Sequence, residues 1–475
     1  LKFYTYLKEN NSVDLQEYAA NNPELKASLE LMKEINDRGY SALIVGGFVR
    51  DVILGISSSD IDIATNMPPE EIDNNFETYD IGKNREFGVN VVKYGGYDFE
   101  LAQYRKDIYQ SLEGSKGADE VEIVPDFKED AARRDFTLNS LGIDYKGNII
   151  DHHGGTDDIK KKVVAAVGDA SLRFKEDAIR MMRGVRTASK LGFDIEGETK
   201  ETMKGMARDL SKVAPERIHS ELVKMASQSG SKFADAIEIL DEVGILELIL
   251  PEITKLKEFQ EEPEHHPEAY EIGEGRVFDH VLAALRQNDL KDPLVNFAIL
   301  MHDVGKGTTH KKRDGKNTFY GHAEASKELI DNIADRLRLS NNEKNAILFS
   351  ALNHMKMPKA LDMKATKIMK LVNDENWEVL KAVSYCDDSC RKGLFDKKAF
   401  NDIISNMEKI SKRWGDKVTG KAAKIVDGKR VMKVLDIRPS PLVGQVIQKV
   451  TDYVVNKGSK EDIDKLIKRA YKEVK

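Results

Sequence analysis

Cysteine is nearly absent: the 475 residues include only Cys386 and Cys390. That excludes a disulfide-stapled scaffold and fits a reducing compartment, so a cytoplasmic protein is expected. The two lie four residues apart, on one face of a helix. With no second Cys/His cluster beside them, a buried structural pair is expected rather than a redox or metal site. No apolar run approaches the ~18 residues that cross a bilayer, so no membrane protein is expected. The first ten residues lack a basic stretch followed by an apolar core, so no signal peptide is expected; they also lack an initiator Met. Internal repeats and low-complexity tracts are missing too. Neither charge sign dominates, because 74 Lys and Arg face 81 Asp and Glu for a net charge of −7. That gives no global electrostatic reason to expect a nucleic acid, and no DNA partner is expected.

A hydrophobic share of 40% with 33% charged residues supports folded cores, and ~150 residues per domain implies about three domains. Residues 24–38 carry Leu25, Leu29, Leu31, Met32 and Ile35 near the helical period. Residues 41–45 read as a short apolar strand ending in Gly46-Gly47. Further strands are expected at 61–64, 89–94 and 97–103, the last two joined at Gly95-Gly96 as a hairpin. From 170 onward strand signals vanish, and helices are expected at 173–191, 199–210, 216–229, 232–241 and 244–250. The stretch 251–276 is acidic, punctuated by Pro and Gly and aperiodic, which reads as a linker. Helices resume near 278, with irregular insertions at 305–320 and 414–430. The expected class is α+β: a small mixed-sheet α/β head followed by an elongated all-α body. Between Lys409 and Arg438 ten Lys and Arg face three Asp, a plausible phosphate-tracking surface if a neighbouring domain handles RNA.

Three groups of residues carry chemistry. The first is the strand and glycine pair Leu43 to Gly47, then Arg50-Asp51, then Asp60-Ile61-Asp62. Glycines at such a turn let the backbone approach a ligand. Asp60 and Asp62, at i and i+2 of a strand, point to one face and repel each other unless a cation neutralises them. Two Asp without His or Cys suit Mg²⁺ shared with substrate phosphates. Two-metal sites usually take a third carboxylate, for which Glu100 is the candidate. Asp135 and Asn139, spaced i, i+4 as on one helix face and preceded by Arg134, could hold phosphate and ribose.

The second group is Glu176, Asp177, Arg180, Arg183 and Arg186, expected in one helical stretch. Cytosine and adenine both offer an amine donor beside a ring-nitrogen acceptor; uracil and guanine offer the reverse. A carboxylate next to a guanidinium therefore accepts C and A together and leaves a buried group unpaired with U or G. The third group is His280, His302-Asp303 between an apolar helix and a glycine turn, His322, His354 and the pair Asp387-Asp388. Imidazole and carboxylate together suit a divalent metal that lowers the pKa of a bound water.

Gly46-Gly47, Arg50-Asp51, Gly55, Asp60 and Asp62 are followed in order by Arg134-Asp135-Phe136-Thr137 with Asn139, then Gly154-Gly155 with Asp157-Asp158. Arg173-Phe174, Glu176-Asp177, Arg180 and Arg183 come next, then Pro215-Glu216-Arg217-Ile218 and Gly244-Ile245-Leu246 with Leu250-Pro251. This ordered set, over 40–250, resembles the class II tRNA nucleotidyltransferases (CCA-adding enzymes) and the bacterial poly(A) polymerases of the same family. Two departures stand out: Asp151-His152-His153-Gly154-Gly155 where the family usually has Asp-Pro-Phe-Gly-Gly, and Ser140 where Ala is common. The later histidines resemble the H…HD…H…H…D pattern of HD phosphohydrolases, with Asp387 and Asp388 both open as the last ligand. His266-Pro267-Glu268, Gly275 and His280 resemble the linker and first helix of CCA-adding enzymes that carry an HD domain.

The resemblance implies an N-terminal extension at 1–24, a nucleotidyltransferase head at 25–160 and a helical neck and body at 161–255. An HD-type domain at 256–400 and a helical tRNA-binding tail at 401–475 follow. It implies addition of C and A to tRNA 3′ ends from CTP and ATP, without a nucleic-acid template, with Mg²⁺ on Asp60 and Asp62. It assigns base reading to Asp177 and Arg180, with Glu176 orienting Arg180, and nucleotide binding to Gly46, Gly47, Arg50, Arg134, Asp135, Asn139 and Arg183. At the HD site it implies Ni²⁺, Mn²⁺ or Mg²⁺ and phosphatase or phosphodiesterase action on damaged RNA ends. A poly(A) polymerase, and a nucleotide-binding regulator with only the HD site active, are the alternatives.

Overall fold

The computed structural model describes residues 7–8, 12–58, 60–79, 88–109, 120–391, 393–417, 426–455 and 461–474. They fall into two compact units, Leu1–Gln228 with Lys232–Pro251, and Ser229–Ser231 with Glu252–Lys475. None of the described helices is long and apolar enough to cross a membrane.

In the first unit, helix α1 (Pro23–Asp37) starts where Asn22 accepts a hydrogen bond from the Leu25 amide and Pro23 fixes the first turn. It buries Leu25, Leu31, Met32 and Ile35 against the head. Strand β1 (Ala42–Val45) is buried along its whole length, as a central strand requires. Helix α2 (Gly47–Ile53), β2 (Asp62–Thr65), β3 (Glu77–Tyr79), β4 (Val89–Tyr94) and β5 (Tyr97–Gln103) follow. Strands β6 (Arg105–Ile108) and β7 (Glu120–Ile123) form a separate hairpin. After α3 (Phe127–Ala132) come β8 (Gly142–Ile143) and β9 (Ile149–Ile150). The main sheet has seven strands in the order β9-β8-β1-β2-β5-β4-β3. β2 runs antiparallel to β1, pairing Val45 with Asp62, and parallel to β5, pairing Ile63 with Leu101. That register puts the glycine turn, Asp62 and Glu100 at one end of the sheet.

Helices then take over: α4 (Gly155–Lys161), α5 (Ala170–Glu176), α6 (Ile179–Leu191) and α7 (Pro215–Ala226). Two expectations fail here. Asp135 and Asn139 are not on one α-helix, because α3 ends at Ala132 and Thr137–Asn139 is a short 3-10 turn. Nor is 173–191 one helix: Asp177 is extended (φ −158°, ψ 105°) and separates α5 from α6. The His152-His153 departure leaves the loop closed, because Asp151 accepts from the amides of His153, Gly154, Gly155 and Thr156 and from the Thr156 hydroxyl.

The second unit is nearly all helical: α8 (Pro267–Ile272), α9 (Val277–Leu285), α10 (Pro293–Met301), α11 (His322–Leu337), α12 (Asn341–Asn353) and α13 (Trp377–Ser389). The stretch read as a linker is ordered instead. It carries α8, and its acids Glu261 and Glu268 are buried at 4% and 2% exposure. The irregular insertion at 305–320 holds a hairpin of β10 (Lys311–Arg313) and β11 (Lys316–Thr318), turning through Asp314 and Gly315, both at positive φ. Cys386 and Cys390 are buried thiols. Near the C-terminus, helices Gly428–Leu435, Pro441–Val455 and Ile463–Val474 close around Val431, Val446, Val450, Leu466 and Ile467. Part of the basic stretch 409–438 lies outside the described residues.

Candidate active site

One end of the head sheet opens into a cleft of about 810 Å³, lined by Gly46, Gly47, Arg50, Asp60, Asp62, Arg134, Asp135, Asn139, Asp177, Arg180 and Arg183 among others. Gly46 sits at φ +76°, ψ −136°, and a Cβ there would lie 3.3 Å from Nη1 of Arg134. Glycine alone lets the chain turn this tightly beside the arginine. Asp60 and Asp62 flank the buried Ile61, so the two carboxylates face the cleft while the isoleucine enters the core. The Asp62 carboxyl is pushed up to about 6 by partial desolvation within the cleft, then by Asp60 and Glu100, with Arg134 opposing. Glu100 stands beside Asp62 on β5 but does not line the cleft. Three acids crowded together with only Arg134 to offset them match the donor set of a hard divalent cation.

Around the cleft wall runs a continuous hydrogen-bonded network. Arg50 donates to Asp51 and, through Nη1, to Oδ1 of Asn139 at 2.7 Å. Asn139 donates to Asp135 at 3.2 Å, and Arg183 Nε donates to the other Asp135 oxygen at 2.7 Å. The two residues meet as the spacing anticipated, through a 3-10 turn rather than a helix. Burial alone would raise the Asp135 carboxyl, but Arg183 and the Asn139 hydrogen bond outweigh it and hold it below the usual range. Arg134 is held by Asp130 at 3.0 Å.

At the far wall, Glu176 grips Arg180 Nη1 at 2.5 Å and Arg173 Nη2 at 2.7 Å. Arg180 Nη2 donates to the Arg133 carbonyl at 3.1 Å and to Tyr109 Oη at 3.3 Å. Asp177 accepts from Arg217 Nη2 at 2.6 Å. Burial pushes the Glu176 carboxyl up despite both arginines. Tyr109, Asp130 and the pairing of Arg217 with Asp177 were not anticipated. Of these only Arg217 carried a sequence signal, in Pro215-Glu216-Arg217-Ile218.

In the second unit the histidines converge. His280, His302, Asp303, His354 and Asp387 are buried, and His322 is 12% exposed in its side chain. Each imidazole is oriented from outside by an Nδ1 hydrogen bond: His280 to Glu268 (2.7 Å), His302 to the Ile299 carbonyl (2.7 Å), His322 to the Phe319 carbonyl (2.9 Å) and His354 to the Ala351 carbonyl (3.0 Å). With Nδ1 donating, Nε2 is left as the acceptor aimed inward. Nε2 of all four rings and Oδ1 of Asp303 are buried without a hydrogen-bond partner. Such a set is costly unless something electropositive fills it. His280, His302 and Asp387 form one cluster within metal-binding reach, and Asp303, His322 and His354 another.

Asp387 Oδ1 lies 3.3 Å from His280 Nε2, whereas Asp388 stands outside both clusters, 3.3 Å from Arg391. Burial and the neighbouring Asp387 push the Asp388 carboxyl up to about 6. The ordered stretch adds residues that the sequence hid. Lys306 bridges Asp303 (2.8 Å) and Glu261 (2.6 Å), and Glu268 joins His280 to His266 (3.0 Å). Burial would raise Glu268, yet the two imidazoles hold it down to about 2.

Comparison with known proteins matches three stretches of the chain. The "Poly A polymerase head domain" matches residues 42–165, the "Probable RNA and SrmB- binding site of polymerase A" matches 192–257, and the "HD domain" matches 275–388. A CCA-adding enzyme of Lactobacillus johnsonii is 43% identical over 230 residues, which is 48% of this chain and 56% of that protein. The chain thus spans about half the length of the curated relatives it matches. The crystal structure of the Bacillus stearothermophilus CCA-adding enzyme in complex with CTP superposes with a TM-score of 0.69 at 23% identity, covering 95% of this chain and 99% of that one. The Thermotoga maritima CCA-adding enzyme complexed with tRNA gives 0.53 at 18% identity, over 97% and 98%. These two likenesses establish the fold. In order along its length, then, the chain carries matches to a poly(A) polymerase head domain, to the RNA-binding region of such polymerases and to an HD domain, and over about half of its length it is similar to CCA-adding enzymes.

Proposed function

We propose that this chain is a tRNA nucleotidyltransferase that adds C and A to tRNA 3′ ends from CTP and ATP, and that its HD centre hydrolyses phosphoesters at RNA ends. One observation carries the reading. The crowded pair Asp60 and Asp62 and the pair Asp177 and Arg180 line a single cleft, so a triphosphate at the acids leaves its base in reach of the reader. Asp60 and Asp62, with Glu100 behind, would hold Mg²⁺, which when bound favours the ionised form of an attacking hydroxyl and offsets charge developing on the phosphates. The similarity to CCA-adding enzymes, and the CTP and the tRNA held in two related structures, support the same substrates.

The chain's own residues divide the remaining work. Gly46 and Gly47 let the backbone approach the phosphates without a side chain in the way. Arg50 and Arg134, anchored by Asp51 and Asp130, present fixed positive charge to the triphosphate. Asp135, Asn139 and Arg183 form the wall against which the ribose sits. Asp177 accepts the exocyclic amine that C and A share, and Arg180 donates to the adjacent ring nitrogen. Glu176 and the Arg133 carbonyl fix that guanidinium in one orientation, so U and G meet a donor with a donor and an acceptor with an acceptor.

At the HD centre, His280, His302, Asp303 and Asp387 would hold one divalent ion, with His322 and His354 beside Asp303 able to hold a second. Ni²⁺, Mn²⁺ and Mg²⁺ are the candidates, and such an ion lowers the pKa of a bound water. Two experiments test the two activities. Asp60→Ala should abolish incorporation from α-labelled CTP; full activity in that variant ends the first reading. Purified protein with each metal should cleave a 2′,3′-cyclic phosphate dependent on His302 and Asp303; no such activity ends the second.

A further inference from the structure

The hairpin β10–β11 belongs to neither site as described, yet it is a concentrated basic feature next in sequence to His302-Asp303 and His322 of the HD centre. Residues 306–320 hold Lys306, Lys311, Lys312, Arg313 and Lys316 against Asp314 alone. Lys306 is committed to Asp303 and Glu261, and Lys316 pairs with Glu264 at 3.1 Å. Lys311, Lys312 and Arg313 are all exposed along β10. Among the described residues they have no carboxylate partner, and Arg313 lies over the ring of Tyr320 at 5.3 Å. Tyr320 is 74% exposed, the most exposed large hydrophobic side chain described. A tight Asp-Gly turn holds the strands in register, and the Asn317 amide docks on Glu262 at 2.5 Å.

The base of the hairpin is built into the centre itself. Phe319 packs over Lys306 at 5.5 Å and against His310 at 5.6 Å, and its carbonyl orients His322. Three unpaired cations in a row and an exposed aromatic ring, fixed to a phosphoester-cleaving centre, are what a single RNA strand recognises: charge along its backbone and a face on which a base stacks.

We propose that this hairpin is the RNA-binding arm of the HD centre, with Lys311, Lys312 and Arg313 on the phosphates upstream of the 3′ end and Tyr320 under a base. This rests on the HD centre acting on RNA ends. The substrate it selects is therefore a single-stranded RNA terminus rather than a free mononucleotide.

The test uses the full chain loaded with Mn²⁺ and two substrates: a short RNA ending in a 2′,3′-cyclic phosphate, and 2′,3′-cyclic AMP. In the triple variant Lys311→Ala, Lys312→Ala, Arg313→Ala, the ratio of kcat/KM for RNA to that for cyclic AMP should fall at least tenfold. Its dependence on salt should flatten by about 2 in log–log slope, for three contacts at ~0.7 each. Tyr320→Ala should lower the same ratio about tenfold, through KM. An unchanged ratio and slope would overturn the proposal. Photo-crosslinking of an RNA carrying 3′-terminal 4-thiouridine separates the two readings. If neither substrate is cleaved, the hydrolase reading fails, while a crosslink within 306–320 still supports the arm and its absence there overturns it.

Discussion

Replacing Glu176 by Gln removes one charge from between two guanidiniums while keeping size and an acceptor oxygen. The carboxylate sits 2.5 Å from Arg180 and 2.7 Å from Arg173, with 8% of its side chain accessible. Breaking a buried pair by deleting one partner costs about 3–5 kcal/mol in general. Two features move this case below that range. Arg180 keeps the Arg133 and Arg173 carbonyls, and burial already pushes the carboxyl up, so its charge is incompletely compensated. A cost of about 2–3 kcal/mol follows, comparable to a charged hydrogen bond. For a unit of this size that lowers the melting temperature by roughly 4–12 °C. With its clamp weakened, Arg180 no longer meets the base in one orientation, so selectivity for C and A over U and G should drop about tenfold or more. Calorimetry and single-nucleotide incorporation, with KM and kcat for each triphosphate, read both effects. A variant that melts as wild type does and rejects UTP and GTP equally well would refute the clamp.

The remaining predictions concern the cations. Asp62 titrates at about 6 in the fold against an ordinary value of 3.8. The fold therefore favours its proton: the stability tied to this group is full below about 3.8 and is lost as pH rises through 6. A cation in the head must displace that proton, so Mn²⁺ affinity there should be level above pH ~7 and fall about tenfold per unit below 6. Electron paramagnetic titration in a His302→Ala, Asp303→Ala background reads it, and pH-independent affinity would contradict the crowding of the three acids. At the HD centre, a Cβ on Gly305 would lie 2.0 Å from the His322 carbonyl oxygen and 2.7 Å from the Ser326 hydroxyl. Gly305→Ala should cost about 1–3 kcal/mol of overpacking and displace His322. Metal content by mass spectrometry should fall while CTP incorporation persists; unchanged stoichiometry would count against the ligand assignment.

The head was legible wherever function sits in local sequence. The glycine turn and the alternation Asp60-Ile61-Asp62 are local patterns, although the strand itself starts only at Asp62 and Asp60 precedes it, and the hairpin 89–94 with 97–103 lies where the pattern put it. Asp135 and Asn139 also meet, but the helix inferred from their spacing does not exist, because a 3-10 turn brings i and i+4 together here as well. Tyr109 was invisible because its partner Arg180 lies 71 residues away, and nothing local marks such a contact. Glu261 and Glu268 were hidden differently. In an acidic, Pro-punctuated stretch a buried carboxylate looks like its solvated neighbours, and only the folded chain reveals the lysine and histidines that compensate it. The hairpin at 311–318 was missed because its strands are polar on both faces, which erases the period-2 signal.

The central claim is that one cleft both transfers a nucleotide and chooses it by amino-acid side chains. It is tested most directly by incubating the protein and Mg²⁺ with a tRNA lacking its last three nucleotides and each triphosphate in turn. The account predicts extension from CTP, completion when ATP follows, and no product from UTP or GTP, with Asp177→Ala, Arg180→Ala admitting UTP. Extension by ATP alone into a long tail, or a double variant that still excludes UTP and GTP, would contradict it.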